Sequence, residues 1–116
     1  MSKVGFKLYF YQDNKLFKKV GVKKGTNLNL TVGTDNNCDI IIHNNRVSRK
    51  HLQIIYTENG KLTVTDLNST NGTFLNGIEL VSASSHPLKN KDKLHLSGAN
   101  GVLIIIETLI NESILN

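Results

Sequence analysis

Apolar and polar residues alternate along most of the chain with the period of two that is typical of β-strands. Because successive side chains of a strand point to opposite faces of a sheet, one set enters a core and the other meets water. This pattern predicts strands at residues 6–10, 28–33, 52–55, 62–65 and 94–96. Residues 102–106 are apolar throughout, which favours a strand covered on both faces.

Turn-forming residues separate these segments. Residues 12–14 and 58–60 and the Asn-Gly pairs at 71–72 and 76–77 favour tight turns, because Asn and Gly tolerate positive φ. No long stretch has a helical period, and only residues 107–116 are compatible with a short helix. Many short strands with frequent turns predict a single all-β domain, a sandwich or a barrel.

Length and composition narrow the class of protein. The chain has 116 residues, the size of one domain. It lacks a run approaching the roughly 20 apolar residues of a membrane helix and begins without the apolar segment of a secretory signal, so we expect an intracellular protein without a membrane partner.

A single cysteine, Cys38, excludes an intrachain disulfide, and we expect it to be a small buried side chain. The four histidines show no ligand pairing, so we expect neither metal nor cofactor.

The formal net charge of +5 is unevenly distributed. Residues 1–26 contain seven lysines and one aspartate, whereas residues 27–88 contain four basic and five acidic residues. The lysines alternate with apolar residues, which is compatible with the solvated face of a hairpin or a protected sheet edge. The alternative is a patch for nucleic acid or an acidic partner. Since no nucleic-acid motif accompanies the lysines, we do not expect nucleic acid as the partner.

Three polar segments, at residues 33–39, 43–51 and 68–73, hold the candidate chemistry. Loops at one end of an antiparallel sandwich converge on a rigid scaffold. Their hydroxyls and amides, together with the chain's only two arginines, Arg46 and Arg49, suit an anion receptor. Ser48, His51 and Asp66 are also the three residue types of a hydrolase catalytic triad. No nucleophile elbow surrounds Ser48, so we do not expect an enzyme.

These motifs resemble those of the forkhead-associated (FHA) domain. The matching residues are Gly33 at a strand end and the runs 38–40 (Cys-Asp-Ile), 48–51 (Ser-Arg-Lys-His), 69–77 (Ser-Thr-Asn-Gly-Thr-Phe-Leu-Asn-Gly), 86–88 (His-Pro-Leu) and 92–94 (Asp-Lys-Leu). The resemblance places an FHA domain at residues 1–107 and a tail, either a short helix or the start of a linker, at 108–116. It implies a β-sandwich of about 11 mostly antiparallel strands that binds phosphothreonine peptides through loops at one end.

The resemblance also implies roles for individual residues. Ser48 and Arg49 would donate to the phosphate, Thr70 would approach the phosphothreonine or the adjacent backbone, and Asn71 would hold the peptide main chain. Arg46 would select an acidic side chain beyond the phosphothreonine, or is a solvated surface arginine. Structural support of the site would come from a second set of residues: Gly33, His51, Gly72, Thr73, Asn76 and Gly77.

One position departs from the family pattern. The family usually places an arginine that contacts phosphate directly after the strand-end glycine, and here that position is Thr34. Threonine donates one hydrogen bond and brings no charge, so one charge-assisted contact is absent. Arg46 or Arg49 would have to compensate for it from the neighbouring loop.

Two functions remain open. In the first, the protein recognises a threonine-phosphorylated segment of another protein in intracellular signalling, in a nuclear and DNA-damage-response context that the family resemblance suggests. In the second, it is a divergent FHA domain whose phosphate site has decayed. It would then form a homodimer or bind proteins without phosphate, through a face that carries Tyr9, Tyr11 or Ile55.

Overall fold

The computed structural model describes residues 4–98 and 101–108, and this part of the chain forms eleven β-strands. The strands are β1 (Val4–Gln12), β2 (Lys15–Lys23), β3 (Leu28–Gly33), β4 (Ile40–Ile41), β5 (Leu52–Tyr56), β6 (Leu62–Asp66), β7 (Thr73–Leu75), β8 (Ile78–Glu79), β9 (Ser85–Pro87), β10 (Lys93–Leu96) and β11 (Val102–Thr108). Of the tail predicted at 108–116, Thr108 belongs to β11, and residues 109–116 lie outside the described residues.

The strands form two sheets. One has six strands in the order β2-β1-β11-β10-β7-β8, and the other has five in the order β4-β3-β5-β6-β9. Only the short pairing of β3 with β4 is parallel among the described pairs. The prediction of an all-β, mostly antiparallel sandwich is therefore confirmed.

The core lies between the sheets and consists of the alternate apolar residues of each strand. Phe6, Leu8 and Phe10 of β1 are fully buried, and they face apolar residues of β3, β5 and β6 in one cluster. The Phe6 and Tyr56 rings meet edge to face with centroids 4.7 Å apart, which links the two sheets. Burial of one face of each strand is what the alternation predicts.

The strand predicted at residues 102–106 exists, but the expectation that both its faces are covered is wrong. Ile104 and Ile106 are fully buried, whereas Leu103 and Ile105 on the opposite face are only partly buried. No described strand covers the outer face of the six-stranded sheet, where Leu103 and Ile105 lie opposite Tyr11 and Tyr9, their cross-strand neighbours on β1.

Strand register brings the three polar segments to one end of the sandwich. Val32 near the end of β3 pairs with Leu52 at the start of β5, and Leu52 also pairs with Asp66 at the end of β6. On the other sheet, Thr73 at the start of β7 pairs with Leu96 at the end of β10. The loops that follow β3, β4 and β6 therefore converge, as the antiparallel arrangement predicts.

Candidate functional site

The converging loops enclose an open cleft of about 870 Å³. Thr34, Arg46, Ser48, Arg49, Thr70 and Asn71 all line it. The structure thus brings together the six residues that the sequence predicts for binding, although they come from three loops separated by up to 37 positions, the span from Thr34 to Asn71.

The first loop is held against the second at Gly33. A Cβ atom on Gly33 would lie 2.1 Å from the backbone oxygen of Arg49 and 2.9 Å from that of Ser48. The Thr34 N–H donates to the Ser48 carbonyl at 3.1 Å, and the Asp35 N–H donates to the Arg49 carbonyl at 3.1 Å. Only glycine permits this backbone approach, which places Thr34 and Ser48 side by side in the lining of the cleft.

His51 connects the second loop to the third from a fully buried position. Its Nδ1 accepts the Ser48 N–H at 3.0 Å, so Nε2 carries the ring hydrogen and donates to the Gly72 carbonyl at 2.9 Å. Burial lowers the pKa of His51, against the opposing effects of the Gly72 carbonyl and Asp66. The neutral imidazole is therefore the form that fits, since protonated Nδ1 would face another N–H donor.

The Ser48 hydroxyl is oriented by the third loop. Its oxygen accepts the Thr70 N–H at 2.9 Å, and its hydrogen has no acceptor among the residues that the structure describes. A serine hydroxyl has one hydrogen to donate. The Ser48 O–H is thus available to an anion in the cleft.

The Asn71 amide is held by the second loop. Its Nδ2 donates to the Arg46 carbonyl at 2.8 Å, and the Ser97 hydroxyl donates to the same carbonyl at 2.5 Å. The Arg46 N–H in turn donates to Asn44 Oδ1 at 2.9 Å. The Asn71 amide oxygen accepts no hydrogen bond within the described residues, so it is able to accept an N–H from an extended peptide.

Asp66 organises the third loop, a role that is not evident from the sequence. Its buried carboxylate accepts the hydroxyls of Ser69 at 2.6 Å, Thr73 at 2.6 Å and Ser82 at 2.8 Å, and also the Ser69 N–H at 3.1 Å. Burial raises the pKa of Asp66, but these hydrogen bonds together hold it below its ordinary value. The available signal was an acidic residue at the end of a strand, followed by a hydroxyl-rich loop.

The supporting residues fall into two groups. Gly72, with φ of +87°, and Thr73 lie in the third loop and at its junction with β7, beside His51 and Asp66. Asn76 and Gly77 form the turn between β7 and β8, with φ of 51° and 88°. They are tied to the start of β10, because Asn76 bonds Asp92 and Lys93, and they do not line the cleft.

The electrostatic balance of the cleft is positive. Arg46, Arg49 and Lys50 are exposed on its walls, and their side chains bond no acceptor in the described part of the chain. Asp35 is the single carboxylate on the lining, and its Oδ1 accepts the Asn37 N–H at 2.8 Å. Free cationic donors in a concave site are suited to an anion with several acceptor oxygens.

Ser48, His51 and Asp66 are not arranged as a catalytic triad. His51 bonds the backbone N–H of Ser48 and not its hydroxyl, and the Asp66 carboxylate bonds hydroxyls and not the imidazole. Cys38 is buried and donates to the Arg49 carbonyl at 3.1 Å, in agreement with the structural role predicted for it.

Residues 4–98 and 101–108 contain neither a cluster of metal ligands nor a membrane-spanning helix. No group of three or more His, Cys, Asp or Glu side chains in these ranges is arranged to hold a metal ion. Within the same ranges, no helix has the length and apolar content needed to cross a membrane.

The sequence is similar to a known domain family and to known proteins. The sequence pattern of the FHA domain matches residues 30–97. The chain is 34% identical over 84 residues to the serine/threonine-protein kinase RAD53 of Saccharomyces cerevisiae, an alignment that covers 71% of this chain and 10% of that protein. It is 35% identical over 92 residues to the probable serine/threonine-protein kinase fhkA of Dictyostelium discoideum, covering 72% of this chain and 15% of that protein. The chain therefore spans only a small part of the length of these curated relatives.

The fold also matches solved structures. The N-terminal FHA domain of S. cerevisiae Rad53p, solved in complex with a phosphothreonine peptide, superimposes with a TM-score of 0.75 at 23% sequence identity. The match covers 97% of this chain and 99% of that domain. At this level of identity the likeness shows the fold.

Proposed function

The chain belongs to the FHA domain family, a family of binding modules, and we propose that its loop cleft binds a phosphothreonine-containing segment of a partner protein. The observation that carries this proposal is the convergence of Ser48, Arg49, Thr70 and Asn71 on one cleft with unused donors. At neutral pH a phosphate group carries about −1.5 to −2 charges and three strong acceptor oxygens. The Ser48 hydroxyl and the Arg49 guanidinium supply donors for those oxygens.

Thr70 and Asn71 complete the proposed contacts. Thr70 is exposed on the cleft wall, where its side chain can pack beside the phosphothreonine. The Asn71 amide, fixed by its bond to the Arg46 carbonyl, accepts a peptide N–H with its free oxygen. Phosphate contacts then supply most of the affinity, and the backbone contact orients the peptide.

Thr34 makes the proposed site weaker than one with an arginine at this position. Its side chain has no hydrogen-bond partner within the described residues, so it can donate one neutral bond to a phosphate oxygen. An absent charge-assisted bond costs about 1.5–3 kcal/mol. Arg49 and the adjacent Lys50 line the same cleft, and we propose that they compensate for part of this loss.

Arg46 is proposed to set sequence preference. Its side chain is exposed on the cleft, two residues before Ser48, and its own backbone carbonyl holds the Asn71 amide. A guanidinium there is placed to pair with an acidic side chain a few residues beyond the phosphothreonine. Such a pair adds specificity more than affinity, since it is exposed to solvent.

The proposed cellular role is intracellular signalling. Two curated relatives are serine/threonine kinases, RAD53 and fhkA, which supports a link to threonine phosphorylation. We extend the proposal to a nuclear protein of the DNA-damage response, a context that FHA domains often have.

A peptide library with one fixed phosphothreonine tests this function. Immobilised protein should retain the library, should lose it after phosphatase treatment, and should enrich acidic residues on the carboxyl side of the phosphothreonine. The variant Arg46→Ala should retain phosphopeptides without that enrichment. Retention that does not change after phosphatase treatment would contradict the proposal and support phosphate-independent protein binding instead.

A further inference from the structure

Within the described part of the chain, the strand β2 is a long sheet edge that pairs on one side only, with β1. It lies at the end of the six-stranded sheet and has nine residues, whereas the other edge strands of the described sheets, β4, β8 and β9, have two, two and three. Short edge strands limit pairing with other chains. An edge of nine residues instead offers a row of backbone donors and acceptors to an added strand.

The charge of this edge is strongly positive. Lys15, Lys18, Lys19 and Lys23 of β2 are all exposed, and none of them forms an ion pair within the part of the chain that the structure describes. Asp13, in the turn before β2, is the only acidic residue among residues 4–26. Two copies of this edge repel each other, so an occupant must bring negative charge.

The edge also carries exposed apolar side chains. Leu16 is 45% exposed and Phe17 is 44% exposed. Phe17 occupies a bulge, because Phe10 pairs with Lys18 while Tyr11 pairs with Leu16. From residue 18 to residue 22 the strand pairs regularly with β1. This stretch therefore provides a regular edge for an added strand, next to the apolar side chains of Leu16 and Phe17.

We propose that β2 is a docking edge for an acidic, extended protein segment, which adds as a further strand along residues 18–22 and packs an apolar side chain against Leu16 and Phe17. This surface is distinct from the loop cleft and needs no phosphate. Backbone pairing supplies affinity in such strand addition, and the charges supply selectivity.

A protein segment fits this edge better than nucleic acid does. On the outer sheet face, Tyr9 pairs with Lys19, and the Tyr9 hydroxyl donates to the Glu107 carboxylate at 2.8 Å. A polyanion laid across this face would meet that carboxylate. A strand that pairs at the edge avoids that carboxylate, uses the row of backbone donors and acceptors along β2, and covers the exposed Leu16 and Phe17.

The test is a titration of the full chain, followed by backbone amide NMR shifts, with a capped nine-residue peptide in which glutamate alternates with valine and isoleucine. The peptide contains no serine, threonine or phosphate, so its outcome is independent of the phosphothreonine proposal. We expect shifts concentrated at residues 15–23. The charge reversal Lys18→Glu/Lys19→Glu should weaken binding roughly tenfold. Neighbouring residues of a strand face opposite sides, so one of the two lysines pairs with the glutamates and its attraction becomes repulsion, while both changes remove positive charge from the edge.

Control variants and peptides distinguish the proposed acidic strand from other possible occupants of this edge. The matched reversal Lys61→Glu/Lys89→Glu, at exposed lysines outside β2, should leave the affinity unchanged. A peptide with proline at two central positions should not bind, because it cannot pair as a strand. The proposal would be overturned if the proline peptide bound as tightly as the acidic peptide, or if the amide shifts lay outside β2. It would also be overturned if a nine-nucleotide oligothymidine bound more tightly than the acidic peptide, if the protein self-associated through β2, or if the acidic peptide did not bind.

Discussion

The hydroxyl of Ser48 is oriented by the third loop, because its oxygen accepts the Thr70 N–H. We expect Ser48→Ala to lower affinity for a phosphothreonine peptide by roughly 10- to 150-fold, the equivalent of a lost bond to a charged group of about 1.5–3 kcal/mol. Calorimetric titration measures this loss. An unchanged affinity in a variant whose unfolding curve matches the parent would show that Ser48 does not contact the phosphate.

Thr34 is the residue that limits the proposed site. Because it lines the open cleft next to Ser48, an arginine has room to reach the same phosphate. We expect Thr34→Arg to raise phosphopeptide affinity by about tenfold or more, by adding a charge-assisted bond. The matched variant Thr34→Val, which removes only the hydroxyl, should change affinity much less. Equal affinity of Thr34→Arg and the parent would refute the interpretation of a missing contact.

His51 makes stability depend on pH. Burial holds its folded-state pKa below the ordinary value of 6.5, so below that pH the unfolded chain binds more protons than the folded chain does. The free energy of unfolding should therefore fall as pH drops below about 6.5, by up to about 1.4 kcal/mol per pH unit from this residue.

Urea unfolding between pH 7.5 and 5 measures this dependence. His51→Gln should remove the corresponding part of the slope. An NMR titration of the His51 ring gives an independent check, and a midpoint at or above 6.5 would contradict this account.

At the scale of elements, the site depends on how closely the end of β3 approaches the loop before β5. Gly33→Ala would place a Cβ atom 2.1 Å from the Arg49 carbonyl oxygen, so the loop must move. We expect a loss of stability of about 1–3 kcal/mol and weaker phosphopeptide binding. The matched variant Gly21→Ala, whose nearest neighbour is a Lys7 side-chain carbon at 4.0 Å, should cause neither. Similar stability and affinity of both variants would contradict this role for Gly33.

A comparison of the strands shows which of them could be predicted from the alternation of apolar and polar residues. The alternating strands β1, β3, β5, β6 and β10 were predictable because one face of each enters the core. In the strand β2 the alternation of lysines with apolar residues is interrupted, because the bulge at Phe17 shifts its register. The strands β4 and β8, with two residues each, are too short to carry a period. Their existence depends on neighbouring strands.

For the molecule as a whole, the sequence identified residues that line the cleft but not how they are held. Ser48 and Thr70 are 22 positions apart, and their bond exists because the register of β5 and β6 brings both loops to one end. Asp66 shows the same limit, since its bond to Ser82 spans 16 positions. Motifs locate candidate side chains within loops, whereas tertiary pairing decides which hydrogen bonds fix them.

Two positively charged surfaces, the β1–β2 hairpin and the loop cleft, lie in different parts of the molecule. Most of its excess lysines lie on the β1–β2 hairpin, while the cleft contains both arginines. Gln12 at the end of β1 links the two regions, because its Oε1 accepts the Asn44 amide at 3.0 Å. Net charge alone therefore says little about what the cleft binds.

The most direct measurement compares the affinities of one threonine peptide with and without phosphate, by calorimetry at physiological salt. The peptide carries an acidic residue three positions after the threonine. The structure predicts that phosphorylation strengthens binding by roughly 10- to 150-fold and that Arg49→Gln removes much of the difference. Equal affinity of the two peptides, up to millimolar concentration, would contradict the account of this cleft as a phosphothreonine receptor.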